Sequence, residues 1–280
     1  MNDAHALLRM LNLGCGARLH PAWINVDIAP CDPSVIRCDL SRGLPFPDES
    51  FGVVYHSSML EHLRREHARA LLQECRRVLA PRGILRVAVP DLEQICRLYL
   101  EKLTRASAGD ATAAAEYDWL MIELLDQLVR ERGGGEMVTY LCQQPLPAAA
   151  FVLERIGNEG RELLENIHKE AAGPAGARPG KWWRLNFKTI RSRLCSLLLD
   201  QQTAAALAIG QFRLGGEVHQ WMYDRFSLSR LMTESGFASP QLMTHGTSQI
   251  PGWSTYALEV APDGTVHKPD TLVMECTKNG

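Results

Sequence analysis

Between two short apolar runs, Val53–His56 and Ile84–Val89, lies a segment, Ser58–Leu79, whose apolar residues Leu60, Leu63, Leu71, Leu72, Cys75 and Leu79 include several three- and four-residue spacings. Pro81-Arg82-Gly83 would stop such a helix before the second run begins. A strand, a helix long enough to cross over, and a second strand make a βαβ unit, so the chain is committed to a parallel sheet covered by helices. Three earlier apolar runs, Met10–Leu13, Trp23–Val26 and Val35–Cys38, end near polar, Gly or Pro residues and read as further strands of that sheet.

The first two of these runs sit unusually close together. In LNLGCGARLHPAWINVDI, the connection Ala17–Ala22 contains Pro21 and has no room for the dozen or more residues of a usual crossover. It must cross as a bare loop or a single turn. The glycines of NLGCG mark a place where backbone N–H groups can approach a ligand, a weak signal alone because such turns also serve packing. Asp27 closes the second run where a carboxylate can accept from both hydroxyls of a ribose, although a turn-forming Asp is also expected before Pro30 and Pro33. Asp39 closes the third run. Three consecutive strand ends thus carry groups suited to one nucleoside, as expected for a ligand outside the carboxyl ends of an open parallel sheet.

Taken together, LNLGCG, INVDI, CDLSRGLPFPDESFGVVYHSSMLEHL and ECRRVLAPRGILRVAVPDLE resemble a class I S-adenosylmethionine-dependent methyltransferase of the small-molecule type, across about the first hundred residues. HQWMYDRFSLSRLMTESGF and KPDTLVMECTK, nearer the C-terminus, resemble a bacterial branch of these enzymes. The resemblance implies an α/β fold, a Rossmann-like doubly wound and mostly parallel sheet, here with abbreviated early crossovers and a helical insertion. It implies S-adenosyl-L-methionine as cofactor. Gly14, Cys15 and Gly16 would line its methionine and ribose portion, Asp27 would hold the ribose hydroxyls, Asp39 and Leu40 would lie beside adenine, and His56 and Ser57 would face the sulfonium and the substrate. The family's third glycine and first helix are missing here, which a nucleoside without a pyrophosphate tolerates better than a dinucleotide does.

After Pro90, Asp91 reads as the N-cap of a helix through LEQICRLYLEKL. The α/β rhythm then stops. Residues 104–216 read as helices, AAAEYDWLMIELLDQLVRER, AAAFVLERIGNEGRELLENIHKEA and NFKTIRSRLCSLLLDQQTAAALAIGQF, separated by Gly133-Gly134-Gly135 and GPAGARPG. The expected organisation is a methyltransferase core over 1–103, a helical insertion or lid over 104–216, and core-completing strands over 217–280. Among the last, FSLSRLMTESGF reads as a short helix ended by Gly236, and PQLMTHG and TLVMECTK as strands.

Methyl transfer from a sulfonium is an in-line displacement, so placement of the acceptor and exclusion of water carry much of it. A base is needed where a hydroxyl or protonated amine must lose a proton, and histidine suits that task. The candidates are His219, His56 and His62. Each has an ordinary structural alternative: a strand cap for His56, a packed helix residue for His62, and a tie between insertion and core for His219. Helical spacing of His219 and Tyr223 would put imidazole and phenol on one face if that segment is helical. Trp182, Trp183 and Arg184, with Lys181, Lys188, Arg191 and Arg193 nearby, could stack on a sugar or bind a phosphate, or be a solvated basic face with buried tryptophans. Stripes such as Met121, Leu124, Leu125 and Leu128, or Leu194, Leu197 and Leu198, read as core or homodimer contacts.

Composition narrows the classes further. At 280 residues and 46% hydrophobic the chain can bury a large core, and a net charge of −2 gives no overall attraction to nucleic acid or anionic membranes. No apolar stretch approaches the ~20 residues of a membrane span, and MNDAHALLRM does not read as a secretory signal. Eight scattered cysteines lack a CxxC pair, and no metal-ligand spacing is evident, which fits reduced thiols in a cytoplasmic protein. The expected activity is methyl transfer to oxygen or nitrogen of a small molecule, or of a glycan or natural-product precursor. A nucleic-acid methyltransferase and a non-catalytic cofactor-binding scaffold are the alternatives. Against the former, the fourth strand ends in YHSS rather than an Asn/Asp-Pro-Pro-aromatic pattern; against the latter, Gly14, Gly16, Asp27 and Asp39 are intact.

Overall fold

A computed structural model describes residues 9–172 and 199–280. Seven strands form one sheet in the order β3-β2-β1-β4-β5-β7-β6: β1 Met10–Leu13, β2 Trp23–Asp27, β3 Ile36–Arg37, β4 Phe51–Ser57, β5 Leu79–Pro90, β6 Phe237–Met243 and β7 Thr271–Lys278. The first five pair in parallel, and β7 returns antiparallel between β5 and β6. The expected doubly wound, mostly parallel sheet is therefore present. β3 is shorter than the run Val35–Cys38 suggests, and both its residues are exposed, so no buried face extends the ladder.

The crossover from β4 to β5 is α1, Arg65–Val78, preceded by a tight turn at Leu60–His62. Its buried residues Ala68, Leu71, Leu72, Cys75 and Val78 follow helical spacing and pack with Leu11, Leu13, Val54 and Val87 of the sheet. One continuous helix over Ser58–Leu79 does not form: Ser58 has φ +49° and Arg64 is extended. β5 begins at Leu79, earlier than expected, because Phe51 pairs with Leu79 before a register shift brings Val53 opposite Ile84. Around Arg82, with φ +63°, the strand accommodates the extra residues as a bulge.

The connection from β1 to β2 contains no helix. Two buried asparagines hold it instead. Asn12 Nδ2 donates to the Arg18 carbonyl at 2.9 Å and to Asn25 Oδ1 at 3.0 Å, while Asn25 Nδ2 donates to the His20 carbonyl at 3.2 Å. These side chains satisfy loop carbonyls that would otherwise sit unpaired against the sheet.

Asp91 caps α2, Leu92–Ser107, by accepting from the Gln94 N–H at 3.1 Å. This helix crosses the boundary expected at 103/104. It packs on α3, Ala111–Val129, which is followed by α4, Gly135–Leu141, a helix hidden in the sequence by the Gly133-Gly134-Gly135 run at its start. The next helix, α5, spans Ala149–Ala172 but is broken at Gly157 (φ 58°, ψ −155°), so the expected uninterrupted helix is two segments. Beyond it α6, Gln201–Arg213, starts at an Asp200 cap. The helix therefore does not run through Asp200 from the residues before it, and 186–198 lie outside the described residues. α7, Arg225–Glu234, ends near Gly236, whose φ is +90°. No helix of the described residues is long and apolar enough to cross a membrane.

Candidate functional site

Register decides which side chains meet. Leu13 pairs with both Val26 and His56, so Gly14, Asp27 and Ser57 follow side by side at the carboxyl ends of β1, β2 and β4. Gly14 and Gly16 have φ of +61° and +50°, where a side chain is strained. A Cβ on Gly16 would meet nothing within 4 Å, so its backbone lies bare to open space. The Gly16 N–H donates to Asp27 Oδ2 at 2.9 Å and the Ala29 N–H to Oδ1 at 2.8 Å. The carboxylate thereby ties the glycine turn to the end of β2 and keeps further lone pairs. The Cys31 thiol donates to the Gly16 carbonyl at 3.0 Å, and the Cys15 thiol is pushed up to about 11, chiefly by burial and then by Asp27.

A cleft of about 440 Å³ opens over this turn, lined by Gly14, Cys15, Gly16, Ser57, Tyr55 and Lys268 among others. Asp27, Asp39 and Leu40 do not line it. Asp39 sits beyond β3, with an oxygen 3.3 Å from Arg42 Nε, and Leu40 packs half-buried against the core. The chain just before them is tied to the end of β2, where the Cys38 N–H donates to the Asp27 backbone carbonyl at 3.0 Å.

A second cavity, about 600 Å³, adjoins the first between the sheet and the helical segment. Ser58, Glu159, Glu162, Lys268 and Thr271 line both. At this junction Lys268 Nζ donates to Ser58 Oγ at 2.8 Å and pairs with Glu159 at 3.1 Å. Ser58 is also one of the few non-glycine residues with positive φ, a strain that persists only where neighbours enforce it. The break at Gly157 turns Glu159 and Glu162 toward these cavities, and Arg18 of the bare loop meets Glu162 at 3.2 Å.

Two of the three candidate histidines come together. His62 and His219 both line the larger cavity, with ring centroids 4.7 Å apart in an edge-to-face arrangement. The His219 N–H of the backbone donates to the Gln127 carbonyl at 2.9 Å, which fixes this extended segment over the cavity. Burial pushes His219 down to about 3, with further lowering from His62, Arg130 and Lys268; burial also lowers His62. Both imidazoles are neutral near pH 7 and so carry a free lone pair. Glu61, beside them, is pushed up to about 7 by burial.

His56 is placed differently. Strand residues alternate between faces, so Tyr55 and Ser57 reach the cleft while His56 enters the opposite face with Val54. It is 0% exposed, lines neither cavity, and neither ring nitrogen has a partner among the described residues. The expectation that it faces the sulfonium is corrected by this alternation. Burial pushes it from 6.5 down to about 4. The unfolded chain protonates His56 near 6.5 and the folded chain only near 4, so stability should fall as pH drops through that window and level off below it. The expected loss is on the order of 3 kcal/mol. Urea denaturation at pH 7 and pH 4.5 should show a smaller loss for His56→Leu than for the unsubstituted protein; parallel losses would refute the assignment.

Tyr223 is corrected as well. Residues 217–224 are not helical, so His219 and Tyr223 share no helix face. Tyr223 instead lines a separate pocket of about 420 Å³ with Arg65 and Trp221, and its phenol is pushed up to about 12 by burial and then by Glu61. Trp182, Trp183 and Arg184, with the neighbouring lysines and arginines, lie outside the described residues. Lys268, Asp270, Glu159 and Glu123 were not anticipated as cavity residues. Lys268 and Asp270 sit in KPD, where the charges before an apolar strand were the available signal; Glu123 and Glu159 look like ordinary polar positions on helices.

A family profile described as "Methyltransferase domain" matches residues 11–87. No curated protein sequence matches the chain at a significant level. Among solved structures, the [4+2]-cyclase SpnF is 22% identical over 29% of this chain and 38% of its own, with a TM-score of 0.25. The CurJ carbon methyltransferase is 11% identical over 98% of this chain and 49% of its own (TM-score 0.38). A Thermotoga maritima protein described as a S-adenosylmethionine-dependent methyltransferase, possible histamine N-methyltransferase, is 12% identical over 97% and 82% (TM-score 0.37). The chain thus spans 38% and 49% of the lengths of the first two. The profile runs from β1 into β5, where the glycine turn, Asp27 and Ser57 stand side by side at the strand ends, so residues 11–87 are the part of the chain that is similar to a methyltransferase domain.

Proposed function

We propose that the chain transfers a methyl group from S-adenosylmethionine to an oxygen or nitrogen of a small molecule, a class that includes glycan and natural-product precursors. The observation that carries this reading is the junction at Ser58 and Lys268, where a cleft over the glycine turn meets a second cavity large enough for an acceptor.

The residues fit the cofactor at the turn, because the bare backbone of Gly16 leaves room for close approach and Asp27 retains acceptor capacity beside it. Gly14, Cys15 and Gly16 would line the methionine and ribose portion, Asp27 would accept from the ribose hydroxyls, and Asp39 and Leu40 would flank adenine. The bound cofactor supplies a methyl group on a sulfonium, open to in-line attack by a lone pair. Ser57 and Ser58 bring the chain's own hydroxyls to the border of the two cavities. His219 and His62, neutral and facing the acceptor cavity, can accept the proton that a hydroxyl or ammonium acceptor loses. Helices α3 to α5 wall the acceptor cavity and restrict water, which favours transfer over hydrolysis.

Calorimetry with S-adenosylhomocysteine, S-adenosylmethionine and NAD tests the reading. The two sulfur nucleosides should bind and NAD should not. Asp27→Ala should weaken S-adenosylhomocysteine by about 10- to 100-fold, the value of losing charged hydrogen bonds to the ribose. Undiminished affinity would remove Asp27 from the site, and tight binding of NAD alone would reject the proposal.

A further inference from the structure

The wall of the larger cavity contains a convergence that proton transfer alone does not require. Glu61, His62 and His219 each offer one ligand atom, and these atoms all lie within 4.8 Å of one another. Both oxygens of Glu61, Nδ1 of His62 and Nδ1 of His219 are buried and have no hydrogen-bond partner among the described residues. Glu61 is fully buried and His219 nearly so. Orphaned polar atoms of this kind are rare in native structures because each costs its desolvation, about 1–3 kcal/mol or more for a charge. Here the three residues that carry them are the same three whose ligand atoms converge.

We propose that Glu61, His62 and His219 bind a divalent first-row transition metal of the zinc type, with its remaining coordination positions facing the acceptor cavity. Two imidazole nitrogens and a carboxylate oxygen form a donor set suited to zinc or cobalt and poorly suited to magnesium or calcium, which take oxygen ligands. Tetrahedral coordination at about 2.0–2.2 Å brings ligand atoms to about 3.5 Å of each other, within reach of small side-chain rotations. The supporting shell is present too. The Gln220 N–H donates to the Glu61 carbonyl at 2.7 Å and the Trp221 N–H to the same carbonyl at 3.2 Å, so the backbone of Glu61 is fixed to the strap that carries His219.

Nearby cations do not take the place of a metal. Lys268 is engaged by Glu159 and Ser58, and Arg130 by Asp126 at 2.5 Å and Glu217 at 3.2 Å. Three protein ligands leave the metal an open position, the arrangement of catalytic rather than structural zinc. An acceptor hydroxyl coordinated there would release its proton to solvent more readily, so the imidazoles would act through the metal instead of as free bases. That consequence rests on the acceptor cavity assigned above; the metal site itself does not.

The test strips the full-length protein with a chelator and titrates it with Co²⁺, read by visible d–d absorption, and with Zn²⁺, read by calorimetry and by the melting temperature. One equivalent should bind without thiolate-to-cobalt charge transfer, and Zn²⁺ should raise the melting temperature. Glu61→Gln and His219→Ala should each weaken Co²⁺ by more than about 100-fold, while still binding S-adenosylhomocysteine as evidence of an intact fold. Absence of Co²⁺ bands in the stripped protein would overturn the site, as would bands that persist unchanged in both variants. Loss of nucleoside binding with metal binding intact would instead reject the methyltransferase reading alone.

Discussion

Replacing Arg86 by methionine is expected to lower the free energy of unfolding by about 3–5 kcal/mol, because it leaves two carboxylates buried without their counter-ion. Arg86 occupies the middle of β5 and is 0% exposed. Its guanidinium donates to both oxygens of Glu259 at 2.9 and 2.6 Å and to Glu275 at 2.7 Å. It also donates to the carbonyls of Thr244 at 3.0 Å and Thr247 at 2.9 Å, and lies 4.2 Å over the Trp253 ring. Burial already pushes Glu259 above the usual carboxylate range with the arginine in place. Without it the segment from Thr244 to Glu259 should detach, and that segment supplies one wall of the cleft over the glycine turn. Arg86→Lys keeps one charge but cannot fork between two acids, so it should lose part of the same stability. Urea denaturation at neutral pH measures both. An Arg86→Met variant within about 1 kcal/mol of the parent, the range of ordinary surface changes, would show that the triad is not holding the segment.

Gly157→Val should be nearly as damaging, at about 2–4 kcal/mol, and its effect should appear first in the helical segment. The backbone at Gly157 has φ 58° and ψ −155°, a region open to glycine almost alone. A Cβ there would stand 2.3 Å from Pro269 Cδ and 2.6 Å from the His267 carbonyl. The close approach is what lets the Glu159 N–H donate to that carbonyl at 3.2 Å and so seats α5 on the loop carrying Lys268. Displacing it would move Glu159 and Glu162 away from both cavities. Hydrogen exchange should therefore show faster opening of α5 than of the sheet, with S-adenosylhomocysteine still bound but Lys268 released from Glu159. Unchanged exchange in α5 would mean the break is a packing accident.

Some of this was legible before any coordinates. β1 and β7 fall where apolar runs and turn residues put them, and Asp91 caps α2 as its position after a proline suggests. The bare connection between β1 and β2 could be deduced from chain length alone. What held it could not: Asn12 and Asn25 looked like polar interruptions in MLNL and INVD, and only pairing of β1 with β2 brings them together. His56 and Arg86 show the converse. Each sits in a strand whose pattern names no face, because parallel strands buried on both sides lose the alternation that would reveal it.

The sequence by itself determined the class of fold, the compact glycine turn and the acidic residues at the ends of consecutive strands, since these depend on local spacing and on backbone preferences that act within a few residues. The tertiary structure alone decided that His62 meets His219 while His56 and Tyr223 lie elsewhere, and that Lys268 joins two cavities. Those outcomes depend on strand register, on the extended path of 217–224 and on the break at Gly157, each fixed by contacts between residues far apart in the chain. Local propensity carries no information about such contacts, and a shift of one residue in a strand would exchange every face it presents.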